Sequence, residues 1–86
     1  YPNPFNPIST VQYQLPGNSK ISLVVYNLLG QVVQVLKDGV VAAGFQSAEW
    51  NASAAASGVY FYRLEATRVS DPGKTFIRTR KMILSR

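Results

Sequence analysis

The segment Ile21–Leu36, ISLVVYNLLGQVVQVL, decides the fold of this chain. Its two apolar runs are rich in β-branched residues, which are stiff at χ1 and fit a pleated surface, so we predict two strands. Between them, Gly30 supplies the positive φ that a short hairpin with a type I turn and a bulge requires. Side chains alternate between the two faces of the first strand. One face carries Ile21, Leu23 and Val25, and the other carries Ser22, Val24 and Tyr26. Because both faces carry apolar residues, we expect this hairpin to be central in its sheet.

Four further segments have strand patterns, turn sequences separate them, and a short segment over residues 40–43 ends at a turn at Gly44. The segments are 10–15, with Val11, Tyr13 and Leu15 inward; 45–51, with Trp50 in or over the core; 59–67, with Tyr60, Tyr62, Leu64 and Ala66 on one face; and 74–84, with Phe76, Met82 and Leu84 inward. The predicted turns are 16–19, 37–39 and 70–73, and residues 51–58 are predicted as a loop or at most one helical turn. Arg78 and Arg80 share the inward parity of the last strand, which predicts a bulge or a strand that crosses the rim of the sheet.

These patterns predict an all-β domain, an immunoglobulin-like antiparallel β-sandwich of about seven strands, with a small closed barrel as the competing fold. The 86 residues form one domain, 1–86, with a Pro- and Asn-rich lead-in over residues 1–8. No apolar run approaches the roughly 20 residues of a membrane span, and no signal peptide opens the chain. The abrupt start at Tyr1 suggests a module of a larger protein.

The net charge of +5 is concentrated near the end of the chain. Up to Gly73 the basic and acidic residues cancel, so the whole excess lies in Lys74, Arg78, Arg80, Lys81 and Arg86. Such a segment could contact nucleic acid, an anionic membrane surface or an acidic receptor groove. The alternative is an edge strand on which Lys and Arg prevent aggregation, and charge alone favours this alternative.

The residue types exclude most catalytic chemistry. The chain has no histidine and no cysteine, which removes most metal sites, cysteine nucleophiles and Ser-His triads. Glu49 and Glu65 could form a glycosidase-like pair, but surface carboxylates are the better interpretation because no cleft-forming insertion accompanies them. Asn51-Ala52-Ser53 matches a glycosylation sequon, a triplet that also arises by chance. We therefore expect no enzyme activity, no metal and no cofactor.

The aromatic residues raise a second possibility, carbohydrate binding. Exposed coplanar rings on a sandwich face can stack on sugar rings, and Tyr60 and Tyr62 have the alternation of such a platform. Because aromatic side chains dominate small cores, a core role is the favoured interpretation.

Five blocks of the sequence, in this order, resemble the type A C-terminal sorting domains of the type IX secretion system. They are YPNPFNP (1–7), VYNLLGQVV (25–33), AAGFQSAEWN (42–51), SGVYFYRL (57–64) and TRKMILSR (79–86). Residues 1–64 are also similar to the immunoglobulin-like domain of the flagellar hook-capping protein. The resemblance covers essentially the whole chain.

This resemblance implies a non-catalytic secretion and sorting signal that follows an N-terminal cargo domain in the same chain. The implied partners are an outer-membrane translocon and a sortase-like peptidase, with no nucleic acid, and the route runs through the periplasm to the cell surface or extracellular space. Six residues are the expected translocon contacts: Gly58, Tyr60, Arg80, Lys81, Met82 and Leu84. All of them except Arg80 match recurrent family positions. Gly30 matches as a structural turn residue. The alternatives are a carbohydrate-binding or adhesive module of a secreted enzyme and a structural assembly domain.

Overall fold

The computed structural model describes residues 8–85, which form six strands and no helix. The strands are β1 (Ile8–Leu15), β2 (Ser19–Asn27), β3 (Val32–Val41), β4 (Gly44–Asn51), β5 (Gly58–Arg68) and β6 (Thr75–Leu84). The all-β prediction is confirmed, although the described residues contain six strands where the sequence predicted about seven. Of the predicted lead-in 1–8, residues 1–7 lie outside the described residues, and Ile8 begins β1.

The strands form two antiparallel sheets that pack as a sandwich. A two-stranded sheet has the order β1-β4, and a four-stranded sheet has the order β3-β2-β5-β6. The chain changes sheet at residues 16–18, 42–43 and 52–57, while β2 and β3 form the predicted hairpin. Two separate sheets confirm the sandwich over the competing closed barrel.

The hairpin is only partly central. Strand β2 lies between β3 and β5, and its residues Ile21, Leu23 and Val25 are completely buried, as alternation predicted. Strand β3 instead forms one edge of the sheet, so the prediction of a central hairpin is correct for β2 and wrong for β3. Apolar composition did not reveal this difference, because edge positions of β3 such as Val32 and Val35 are also apolar and yet exposed.

The predicted turn at Lys37-Asp38-Gly39 is wrong, because these residues continue β3. Lys37 pairs with Leu23 and Gly39 pairs with Ile21, so the ladder to β2 overrides the local turn preference. Polar residues and glycine are tolerated there because β3 is an edge strand. The register shifts between Leu23 and Val24, which leaves Leu36 as the extra residue of a bulge; Leu36 is half-buried against the core.

The core between the sheets has two adjoining clusters. The larger consists of Val11, Leu15, Ile21, Leu23, Val41, Leu64 and Ala66, and the smaller consists of Val25, Trp50, Ala52 and Tyr60. Half-buried Tyr62 and Met82 pack against both clusters. Trp50 therefore lies in the core as predicted, and residues 52–57 form the predicted loop beside it.

Candidate functional site

Strand β6 carries most of the residues predicted as contacts, and it forms one edge of the four-stranded sheet. Its ten residues pair with β5 in a continuous register that runs from Gly58 opposite Leu84 to Thr67 opposite Thr75. Within residues 8–85, no strand pairs with its other edge. Main-chain donors and acceptors along that edge are therefore available to a partner strand.

The predicted bulge in β6 is wrong, since its register with β5 has no shift. Arg78 and Arg80 point to the inner face because they lie opposite Leu64 and Tyr62, yet both are exposed. The two-stranded sheet leaves the middle of β6 uncovered, whereas Phe76, Met82 and Leu84 nearer the ends of the strand are half-buried against the core.

A groove of about 680 Å³ lies between β6 and the two-stranded sheet. Its lining comes from four strands and one turn: Gln12, Tyr13 and Gln14 of β1, Pro16, Phe45 of β4, Tyr62 and Leu64 of β5, and Phe76, Arg78 and Arg80 of β6. The lining has two guanidinium groups, four aromatic rings and no carboxylate. Burial against the core raises the pKa of the Tyr13 hydroxyl above its ordinary value of 10.0. The groove therefore combines positive charge with apolar surface.

The opposite face of β6 combines charge with exposed apolar side chains. Lys81 lies opposite Phe61 and therefore points to the outer face, away from Arg80 and Met82. Ile77 and Ile83 share that outer face and are 53% and 73% exposed. The inner face of β6 therefore carries the two arginines of the groove, and its outer face carries Lys81 with two exposed isoleucines.

The cations of this region are not neutralised internally. Lys74, Arg78, Arg80 and Lys81 are exposed, and within residues 8–85 none of them forms an ion pair. The ion pair that does form, from Arg63 to Glu65 at 2.7 Å, lies on the neighbouring strand. The positive charge of β6 is therefore available to a partner.

Gly58 and Tyr60, two of the predicted contacts, lie beside the end of β6 but differ from it in exposure. Gly58 pairs with Leu84, and Tyr60 pairs with Met82. The Tyr60 ring meets Trp50 in an edge-to-face contact with 5.1 Å between centroids, and its hydroxyl donates to the Ala56 carbonyl at 2.6 Å. Tyr60 is a buried core residue, so the exposed platform of Tyr60 and Tyr62 considered for sugar binding is not formed.

Gly30 has the role predicted from the sequence. Its φ is 80°, and its N–H donates to the Asn27 carbonyl at 3.0 Å. The Asn27 side chain completes the turn, because its oxygen accepts the N–H groups of Leu29 and Gln31, each at 3.0 Å. The sequence interpretation missed Asn27, although an Asn before a turn glycine is typical of an Asx turn.

No catalytic or metal-binding arrangement appears in the part of the chain that the structure describes. Glu49 and Glu65 lie on opposite sheets and both point outward, because their neighbours Trp50 and Leu64 are buried, so they do not form a carboxylate pair. Residues 8–85 contain no group of carboxylates that could hold a metal ion. In the same range, no helix is long and apolar enough to cross a membrane.

Comparison with protein families gives one match, to a family described as "Secretion system C-terminal sorting domain", over residues 1–78. The match includes most of the described domain and the first part of β6, and residues 79–86 lie beyond it. Comparisons with curated proteins and with solved structures give no match.

Proposed function

Because the chain belongs to the family of secretion system C-terminal sorting domains, we propose that it is the non-catalytic sorting signal of a type IX secretion substrate. In this function it follows a larger cargo in the same chain and directs that cargo from the periplasm across the outer membrane. The cargo then reaches the cell surface or the extracellular space. The partners are the outer-membrane translocon and, after export, a sortase-like peptidase that removes the domain.

The observation that supports recognition through β6 is its exposed apolar surface. An edge strand that is only protected against aggregation carries charges and few large apolar side chains. Here Ile77 and Ile83 are more than half exposed beside Lys81, and the cations remain unpaired. Exposed apolar residues among charges are characteristic of a surface that a partner covers.

The predicted contact residues then divide into two groups. Arg80, Lys81, Met82 and Leu84 lie on β6 and are exposed or half-buried, so they can contact the translocon directly. Tyr60 is only 8% exposed, and we assign it and Gly58 to the support of β6. Gly30 lies at the same end of the sheet, in the hairpin turn, and supports the fold.

The experiment is export of a periplasmic reporter fused to residues 1–86 in a type IX host. The reporter should reach the cell surface, and substitution of Lys81 and Arg80 by Gln should reduce export while the isolated domain keeps its unfolding midpoint. Gly30→Val places a β-branched residue at positive φ and should reduce export together with stability. Retention of the unmodified fusion in the periplasm would refute the proposal.

A carbohydrate-binding module is the second candidate, because Phe45 is 85% exposed at the rim of the groove. Its ring, with those of Tyr13 and Phe76, could contact a sugar in place of the excluded Tyr60 and Tyr62 platform. Affinity electrophoresis on a panel of polysaccharides tests this function. Retardation that Phe45→Ala abolishes would support it, and unchanged mobility on every glycan would exclude it.

A further inference from the structure

The two sheets of the sandwich differ in width, and the difference leaves the inner face of β6 uncovered in the middle of the strand. The two-stranded sheet covers β2 and most of β5, whose inward residues Leu23 and Leu64 are buried. The inward residues of β6 are exposed at Arg78 and Arg80, and they are half-buried at Phe76, Met82 and Leu84. The space over β6 is the groove described above.

The wall of this groove is the free edge of β1. Strand β1 pairs with β4 along one edge, and within residues 8–85 no strand pairs with its other edge. Gln12, Tyr13 and Gln14 of β1 line the groove. A strand added beside them, about 4.8 Å away, would extend the smaller sheet over β6, because packed sheets lie about 10 Å apart.

The chemistry of the lining defines what such a strand must carry. Arg78 and Arg80 are two residues apart on one face of β6, and no carboxylate of this chain lines the groove. An added strand has the same two-residue repeat, so acidic residues at alternate positions would all face β6 and could meet both guanidinium groups. Guanidinium–carboxylate pairs are strong, charge-assisted hydrogen bonds.

We propose that the groove binds an extended acidic segment of a partner protein, which adds as a third strand to the free edge of β1. This inference rests on one part of the proposed function, namely that a partner contacts β6. It adds the chemistry of that partner. Carboxylates at alternate positions contact Arg78 and Arg80, and the side chains at the end of the segment contact Phe76. A nucleic acid fits less well, because its phosphates require many cations and Lys81 points to the opposite face.

The experiment measures binding of a fluorescent peptide of eight residues, the length of β1, in which Glu and Thr alternate. The control peptide has the same composition and charge but holds its Glu residues in one block. If the bound segment is a strand, the alternating peptide should bind the full chain about tenfold or more tightly than the blocked peptide, since only alternation aims every carboxylate at β6.

Two charge-matched double variants test the site. Arg78→Gln with Arg80→Gln removes the cations of the groove and should weaken binding of the alternating peptide by about tenfold to hundredfold. Lys20→Gln with Lys37→Gln removes the same charge at exposed positions outside the groove lining and should leave affinity within about threefold. Far-ultraviolet circular dichroism checks that both variants fold, as expected for exposed positions.

Several results would overturn the proposal. Three of them concern the peptides: equal losses of affinity in the two double variants, equal affinity for the two peptides, and absence of binding. The fourth is a dimer whose formation the Arg variants abolish, because a second copy of the chain would then occupy the groove. The outcome is independent of export. If the fusion stays in the periplasm while the alternating peptide binds as expected, the proposed function fails and the groove assignment remains.

Discussion

The inner face of the four-stranded sheet has a closed half and an open half. Over β2 and β5 the second sheet seals Leu23 and Leu64 from water, whereas over β6 the same face exposes Arg78 and Arg80. The strands have the same alternation and a continuous register, and a two-stranded sheet is too narrow to cover all four strands below it. The closed half contains the buried core of the fold, and the open half contains the groove to which we assign partner binding.

The largest expected effect on stability comes from a Leu→Ala substitution, and its size should differ between the closed half and the open half. Leu23→Ala should lower the free energy of unfolding by about 2–5 kcal/mol, because Leu23 is completely buried and the substitution leaves a cavity. Leu84→Ala, on half-buried β6, should cost about 1 kcal/mol, since less apolar surface is lost. Urea denaturation measures both values. Equal losses would mean that β6 is as well packed as β2, and the comparison would be wrong.

A smaller effect distinguishes two tyrosines on the same face of β5. Tyr60→Phe should lower the free energy of unfolding by about 0.5–1.5 kcal/mol, because it removes the 2.6 Å hydrogen bond to the Ala56 carbonyl. The matched control is Tyr62→Phe. The Tyr62 hydroxyl has no hydrogen-bond partner within residues 8–85, so its removal should change stability by less than about 0.5 kcal/mol. A larger loss at Tyr62 would show that the open half also depends on buried polar contacts.

The sequence predicted the closed half well because its signals are local. Alternation of apolar residues assigned the buried faces of β2 and β5, and a positive φ at Gly30 follows from the turn that joins β2 to β3. The same local signals failed at Lys37-Asp38-Gly39, where the pairing of β3 with β2 overrides the turn preference. Pairing between strands is not encoded in any one short segment.

The open half could not be predicted, because it depends on how the two sheets overlap. Alternation indicates that Arg78 and Arg80 point inward, and the prediction of a bulge follows only if inward positions are also buried. The groove also brings Tyr13, Phe45 and Phe76 together from three strands, and their proximity follows only from the order and overlap of the sheets. The basic composition and the two faces of β6 follow from the sequence, whereas the absence of a bulge follows only from the register with β5.

The smallest expected effect lies at the boundary of the two halves, where Tyr13 packs against the core and also lines the groove. Burial raises the pKa of Tyr13 in the folded state, while in the unfolded state its pKa is about 10. Above that pH the unfolded chain loses the proton more readily than the folded one. The contribution of Tyr13 to stability is therefore complete below about pH 10 and is lost as the pH rises through the folded-state pKa.

Urea denaturation between about pH 9 and pH 11 should show wild-type stability falling more steeply than that of Tyr13→Phe, which has no proton to lose at this position. Parallel curves would show that the closed half does not extend to Tyr13. The alternating acidic peptide provides a second measurement, because its binding would bury the Tyr13 phenol further and place carboxylates near it. Both effects disfavour the phenolate, so the bound peptide should raise the pKa of Tyr13 again, and the blocked peptide should leave it unchanged.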